Sequence, residues 1–332
     1  MLDSQAVVRN VTALAQRFQE NWQERQLRSE LAPDDFDALR QAGFHLLSVP
    51  VDQGGAWVSA AQSTRPLCES LRLLAQADSS LALVASMHPG VVCFWLNTVD
   101  APSPFQQAWR QQRREVFQSV LAGAFWGTIT SEAGSGGDIL KSKAVARRAG
   151  GNGAYRLTGQ KQFGSGLGIV SNMITTAVPE GEREPDFFFM HLRDVAWDGS
   201  AGIKLAAPWD GHGMCATQSH AMSFEDYPAT RVAIEGRPLE LMQAAGATIQ
   251  CLFAAVITGI VERALDTARA RLKERKASLL PFEQTEWARF ECEGWLLQQA
   301  FEAMLRAVEE RSCPGAMCCR ASWLSPNWPS PS

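Results

Sequence analysis

The segment from Thr128 to Asp138 reads TITSEAGSGGD and sets hydroxyl side chains against glycines, with Glu132 between them and Asp138 at the end. Gly134, Gly136 and Gly137 permit positive φ and allow backbone N–H groups to converge on an anion. A nucleotide-phosphate loop requires Lys and a hydroxyl directly after its glycines. Here Asp138 follows Gly137, and Lys141 and Ser142 come only later. The dinucleotide pattern GxGxxG is absent, and the surrounding short alternating runs do not form a βαβ unit. Glu132 and Asp138 could be a carboxylate pair, but sequence spacing across a glycine turn does not fix their separation. Asp138 is suited to capping whatever follows it. GxSxG is absent, and no cysteine sits in a recognisable nucleophile context. By itself the segment reads as a plain turn, with a phosphate cradle and a cofactor wall as its alternatives.

Metal chemistry has little support. The eight cysteines stand at 68, 93, 215, 251, 292, 313, 318 and 319, without a CxxC, and the five histidines form no HxxxH pair. The first five cysteines are scattered among apolar neighbours and read as buried thiols.

The elements that would carry the segment change character along the chain. Residues 1–120 are helical in period. VVRNVTALAQRFQENW repeats apolar residues every three or four positions, and APDDFDALRQAGF has Pro33 for a first turn and Gly43 for a stop. STRPLCESLRLLAQADSSLALVASMHPGVVCFWL is apolar on all faces, as a helix or helix pair inside a bundle would be. Residues 121–235 hold short alternating runs divided by Gly, Asn, Asp and Pro. KAVARRA and YRLTGQKQF flank GGNG as a hairpin would, and NMITTAV, DFFFMHL, GIKLAA and SHAMSFEDY follow as strands. These predict a compact all-β domain, a barrel or a sandwich. Over 236–311 the helical period returns in two long runs, one from Pro238 and one from Phe282. The fold class is mixed α and β.

Residues 312–332, with clustered cysteines, scattered prolines and two tryptophans, fit neither pattern nor the composition of a disordered tail. The expectation is an irregular tail, with two readings open: a natural reading frame lost near Arg311, or a short tail of unusual composition.

The 332 residues carry a formal net charge of −4, which provides no global field toward nucleic acid or an anionic membrane. The N-terminal stretch lacks the unbroken apolar core of a signal peptide. CLFAAVITGIV, Cys251 to Val261, is short for a hydrocarbon core of about 30 Å. A cytoplasmic protein with no membrane or nucleic-acid partner is expected.

Two later stretches change the reading of the glycine turn. YRLTGQKQFGSG and WDGHGMCATQSHAMSFEDYPATRV follow it in order. Together with TSEAGSGGD and the helix–β–helix layout, they resemble the acyl-CoA dehydrogenase flavoprotein family, with its TEPGAGSD-like, LNGxKxWIT-like and GMRxT…F(E/D)DV-like stretches. The resemblance covers about Leu31 to Arg311. It implies an N-terminal helical domain, a middle β-barrel and a C-terminal helical bundle that is incomplete here. It also implies FAD, with FMN as the alternative, and a small-molecule substrate of the acyl-CoA kind. A homo-oligomer, dimer or tetramer, is the further implication. Ser131 falls at a family Thr whose hydroxyl approaches the flavin, Phe163 at a Trp, and Ser165 at a Thr that hydrogen-bonds the flavin. Glu132, Gly134, Gly136 and Asp138 match the family's E, G, G and D, and Gly137 replaces a Ser. Lys161 matches a family Lys and is expected to be structural. The cofactor-binding set implied is Thr128, Ile129, Thr130 and Ser131 on the strand, Gly136 and Gly137 in the turn, and Phe163, Gly164 and Ser165 downstream.

The departures bear on activity. The motif GMR reads Gly213-Met214-Cys215, without the Arg. The family's general base is a Glu late in the helical bundle or in the long helix. The second of these positions aligns with Ile249, followed by Gln250, neither of which can take a proton. The segment RKASLLPFEQ also matches the family's FAD-binding RxxFG poorly. No catalytic residue is assigned. Three readings follow: an acyl-CoA dehydrogenase-like oxidoreductase, a two-component flavin monooxygenase of the same fold, or a non-catalytic remnant that acts as a binding or assembly partner.

Overall fold

The computed structural model describes residues 2–151, 153–275 and 278–310, so the tail at 312–332 lies outside the described residues. The N-terminal third is made of helices: α1 Ser4–Glu20, α2 Trp22–Leu27, α3 Pro33–Gln41, α4 Ala60–Ala77, α5 Ser79–Asn97 and α6 Gln106–Leu121. Their starts follow local chemistry. Asp3, Ser59 and Asp78 accept backbone N–H bonds at the heads of α1, α4 and α5, and Pro33 opens α3. Gly43 stops the α3 segment at φ 84°, where a side chain would be strained. The STRPLCESL…FWL run is two helices, divided at Asp78 by that residue's capping role.

The strands are β1 Trp126–Thr128, β2 Val145–Arg148, β3 Ala154–Gly164, β4 Asn172–Pro179, β5 Asp186–His191, β6 Ile203–Ala207 and β7 His220–Arg231. They form a closed ring of β4, β2, β3, β7 and β5, in which β5 returns to pair with β4. Closure decides between barrel and sandwich in favour of the barrel. β1 and β2 lie in parallel along one edge of β4, at opposite ends of it, and β6 pairs with β7. The expected β2–β3 hairpin is present and antiparallel.

Two long helices complete the chain, α7 Pro238–Glu274 and α8 Pro281–Glu310. α7 lies against α4 so closely that a Cβ at Gly259 would sit 2.2 Å from the Arg72 carbonyl oxygen. Asn97 of α5 donates to the Ala244 carbonyl of α7 at 3.1 Å. Arg72 bonds Glu262 of α7, and Arg65 bonds Glu302 and Glu309 of α8. These bonds, Glu309 foremost, raise the Arg65 pKa, and Arg65 holds Glu302 down at about 2. α5 and α7 are each long and apolar enough to cross a membrane by length and composition. The α5 stretch is mostly buried inside the protein, the α7 stretch less than half. Ile257 on α7 and Phe290, Trp295 and Leu296 on α8 are more than half exposed.

The cysteine expectation holds only in part. Cys68, Cys93 and Cys251 are buried, whereas Cys215 is half-buried and Cys292 is exposed on α8. Apolar neighbours in sequence do not imply burial when a helix leaves one side uncovered.

Candidate functional site

α5 supplies the first fixed point. His88 is fully buried, and its Nδ1 accepts the Trp126 N–H at 3.2 Å at the start of β1. Because Nδ1 accepts, the ring proton lies on Nε2, which donates to the His45 carbonyl at 3.3 Å. Burial above all pushes His88 down to about 3 and His45 to about 4, so both are neutral near pH 7. The neutral His88 ring therefore ties β1 to the helical layer.

From there the chain delivers Thr128, Thr130 and Ser131 to the wall of a cavity of about 610 Å³. Ile129, between them, faces the other way and is fully buried. Its N–H donates to Ile174 O at 2.9 Å, and its carbonyl accepts from the Thr175 hydroxyl at 2.6 Å. Ser131 bridges to Gln162, which brings the end of β3 alongside.

Glu132 turns away from the cavity into the barrel wall. Lys161 Nζ donates to its Oε1 at 2.5 Å, Ser142 Oγ at 2.6 Å and Ala144 N at 3.1 Å, while Lys143 N donates to Oε2 at 2.7 Å. Burial would raise the Glu132 pKa. The bonds from Lys161, Ser142 and the two backbone N–H groups outweigh it and keep the carboxyl below its ordinary value. Lys161 is completely buried and also reaches Ser142 and Thr176. Both oxygens of Glu132 are held by donors of the protein itself, so the pair is scaffold. Asp138 accepts from Leu140 N at 3.0 Å and caps a short 3-10 turn. Gly136 and Gly137 are exposed in the turn between, at φ 62° and 82°, and do not line the cavity.

The adjoining part of the wall comes from the end of β3, beside Ser131. Phe163 is 54% exposed at φ 59°, an uncommon backbone state for an aromatic residue, and its ring meets Trp209 edge to face at 6.1 Å. Gly164 is structural rather than lining: a Cβ there would lie 2.7 Å from both Ile129 and Leu167. Ser165 lines the cavity and bonds Ser219 at 2.8 Å.

The resemblance-derived set thus divides. Thr128, Thr130, Ser131, Phe163 and Ser165 share one cavity; Ile129, Gly136, Gly137 and Gly164 lie outside its lining. Sequence reasoning missed Leu83 and Met87 of α5, Phe253 of α7, and Trp209, Met214, Thr217 and Ser219 of the segment between β6 and β7. Leu83 and Met87 lie four apart on one helix face, a spacing indistinguishable from core packing. Thr217 and Ser219 stand two apart ahead of a strand, a hydroxyl pattern that was legible. Trp209 is fixed by two bonds, its backbone N–H to His220 Nδ1 at 2.8 Å and its indole N–H to Met214 O at 3.2 Å. Ile249 and Gln250 lie outside the lining; Phe253, one turn on, occupies the α7 side.

Among the described residues that line the cavity none is Asp, Glu, His, Lys, Arg or Cys. The volume suits a small molecule or the ring part of a cofactor. An aromatic side chain raised on a strained backbone, with hydroxyl residues lining the same space, fits a planar heteroaromatic ring such as that of a flavin. Phe163, Thr130, Ser131 and Ser165 would hold that ring, while no cationic side chain of the lining would meet a phosphate.

No family model matches the sequence. The chain is 28% identical over 246 residues to L-prolyl-[peptidyl-carrier protein] dehydrogenase of Pseudomonas fluorescens, covering 71% of this chain and 60% of that protein. It is 23% identical over 329 residues to dibenzothiophene monooxygenase of Mycolicibacterium goodii, covering 93% of this chain and 72% of that one. The FMN-bound structure of TdsC from Paenibacillus sp. A11-2 superposes with a TM-score of 0.72 at 20% identity, over 92% of this chain and 76% of that one. This chain has the acyl-CoA dehydrogenase fold. In acyl-CoA dehydrogenase-fold terms, the chain spans three fifths to about three quarters of the length of these relatives.

Proposed function

We propose that this chain is a flavin-dependent oxidoreductase that holds the flavin ring in the cavity beside a small, neutral, largely apolar substrate. The single observation that carries this is the lining: aromatic and hydroxyl side chains converge, and no ionisable group joins them among the described residues. A charged substrate would lie there unpaired, at high desolvation cost. Removal of a proton from carbon needs a base within hydrogen-bond reach, and the described lining offers none. This supports oxygenation over dehydrogenation, as does the likeness to a dibenzothiophene monooxygenase. A reduced flavin, when bound, supplies the two electrons that, with O₂, place one oxygen atom on a substrate and release the other as water. The chain's own part is to hold the ring with Phe163 and the hydroxyl residues of the lining and to keep water out with Met87, Met214 and Phe253.

The likeness to a prolyl-carrier dehydrogenase favours a second reading, oxidation of an acyl thioester. For the cofactor, the FMN bound to TdsC supports FMN ahead of FAD. Visible spectra decide among these readings. Turnover with externally reduced FMN and no response to acyl-CoA is the expected result. Bleaching of bound flavin by acyl-CoA would establish the thioester reading instead, and a protein that takes up neither FMN nor FAD would remove both. We also propose that the exposed apolar residues of α7 and α8 join copies of the chain in a homo-oligomer. Light scattering that finds a monomer at micromolar concentration would refute that.

A further inference from the structure

Three hydroxyls of the cavity form a chain that ends on a carbonyl. Ser165 Oγ lies 2.8 Å from Ser219 Oγ, Ser219 Oγ 2.7 Å from Thr217 Oγ1, and Thr217 Oγ1 2.9 Å from Met214 O. All three residues line the cavity, and all three are buried. Each hydroxyl has one proton to give, and the Met214 carbonyl has none. If Thr217 gave its proton to Ser219, its oxygen would face the carbonyl oxygen lone pair against lone pair at 2.9 Å. The proton therefore lies on the Met214 side. Thr217 then accepts from Ser219, and Ser219 accepts from Ser165. The order runs inward at every step and leaves Ser165 with its proton committed.

We propose that Thr217 and Ser219 are positioning residues that make Ser165 a one-way acceptor, so that this point of the cavity selects a ligand group bearing N–H or O–H. A bare carbonyl or ring nitrogen placed there would meet lone pairs only. The end of the chain is fixed by backbone: Met214 is held at φ 53°, its carbonyl also takes the Trp209 indole N–H, and Gly166 N donates to Thr217 O at 2.7 Å. The strained loop that presents Trp209 thus also sets the polarity of Ser165. Thr128, Thr130 and Ser131 are the other hydroxyl residues of the lining. The site has a defined accepting corner, and a ligand must enter with its donor toward it.

The proposal rests on the flavin reading of the cavity, and its test separates the two. FMN affinity is measured by fluorescence quenching for the wild type, Ser165→Ala, Ser219→Ala, the double variant and Ser219→Thr, with a thermal melt of each. Each single alanine variant is expected to weaken FMN by about fivefold. The double variant should be no weaker than Ser165→Ala alone, because Ser219 acts only through Ser165. Ser219→Thr keeps the hydroxyl and should bind within about twofold of wild type. Should Ser219→Ala melt early, Thr217→Val in the two Ser165 backgrounds reads the same coupling. Wild-type affinity in Ser219→Ala, or single effects that multiply in the double variant, overturns the relay while leaving the flavin reading intact. A wild type that binds no FMN overturns the flavin reading and the relay with it.

Discussion

The two sides of the segment that leads from β1 through Ser131 and Glu132 use polar atoms in opposite ways. On the barrel side Glu132 and Lys161 form a buried ion pair whose bonds are all internal. On the cavity side Thr130, Ser131, Phe163 and Ser165 are neutral and turned to open space. The residues that look most like chemistry are the scaffold, and the ones that look inert line the cavity. A buried charge with every partner supplied defines a position but cannot respond to a ligand. A hydroxyl on a cavity wall contributes little to stability and is available for binding.

The contrast makes separable expectations. The largest effect belongs to the scaffold face. Lys161→Met leaves Glu132 charged and buried without its cation, at a cost of about 3–5 kcal/mol. Urea denaturation measures this, and a loss under about 1 kcal/mol would place the pair among weak surface-like bridges.

Next comes acidification, which acts through the histidines behind β1. Both have folded pKa values below the unfolded one, so the unfolded state binds more protons between them and stability falls as pH drops below about 6.5. Each histidine should remove about 2 kcal/mol by pH 5. In His88→Gln the fall from pH 7 to pH 5 should shrink by that amount; an unchanged fall would move the cause elsewhere.

Gly164→Ala tests the boundary between the faces. The added methyl collides with Ile129 and Leu167 and should cost about 1–3 kcal/mol in thermal or urea unfolding. An unperturbed melt would mean that Ile129 can give way.

The smallest effect is on the cavity face. Phe163→Gly relieves a positive φ and should leave stability unchanged or raised by about 1 kcal/mol. The same change should weaken FMN about threefold to tenfold. A variant that loses stability along with affinity would erase the distinction between the two faces.

Much of the architecture was legible because its signals are local. Pro33, Gly43 and Asp78 punctuate helices, and the GGNG turn joins β2 to β3, so element order follows from the chain itself. The parallel pairing of three-residue β1 with β4 was not legible, since nothing in WGT announces a partner at Asn172–Ile174. The site was half legible for the same reason. Ser131, Phe163 and Ser165 follow from ordered motifs. Phe253 and Met87 reach the cavity only through the packing of α7 and α5, and Trp209 only through a strained loop. Glu132 and Lys161 could be dismissed as catalysts, but that they lock each other required the fold.

The turn after Glu132 has a consequence for engineering. One end is anchored by the ion pair and the other by the Asp138 cap, and the glycines between them are exposed with open space around them. Ser135 within the turn is buried and bonds Glu132 and Gly137, so the natural insertion point is the exposed Gly136–Gly137 junction beyond it. A short tag or a fluorescent label placed there should report on the protein while leaving the hydroxyl wall of the cavity in register.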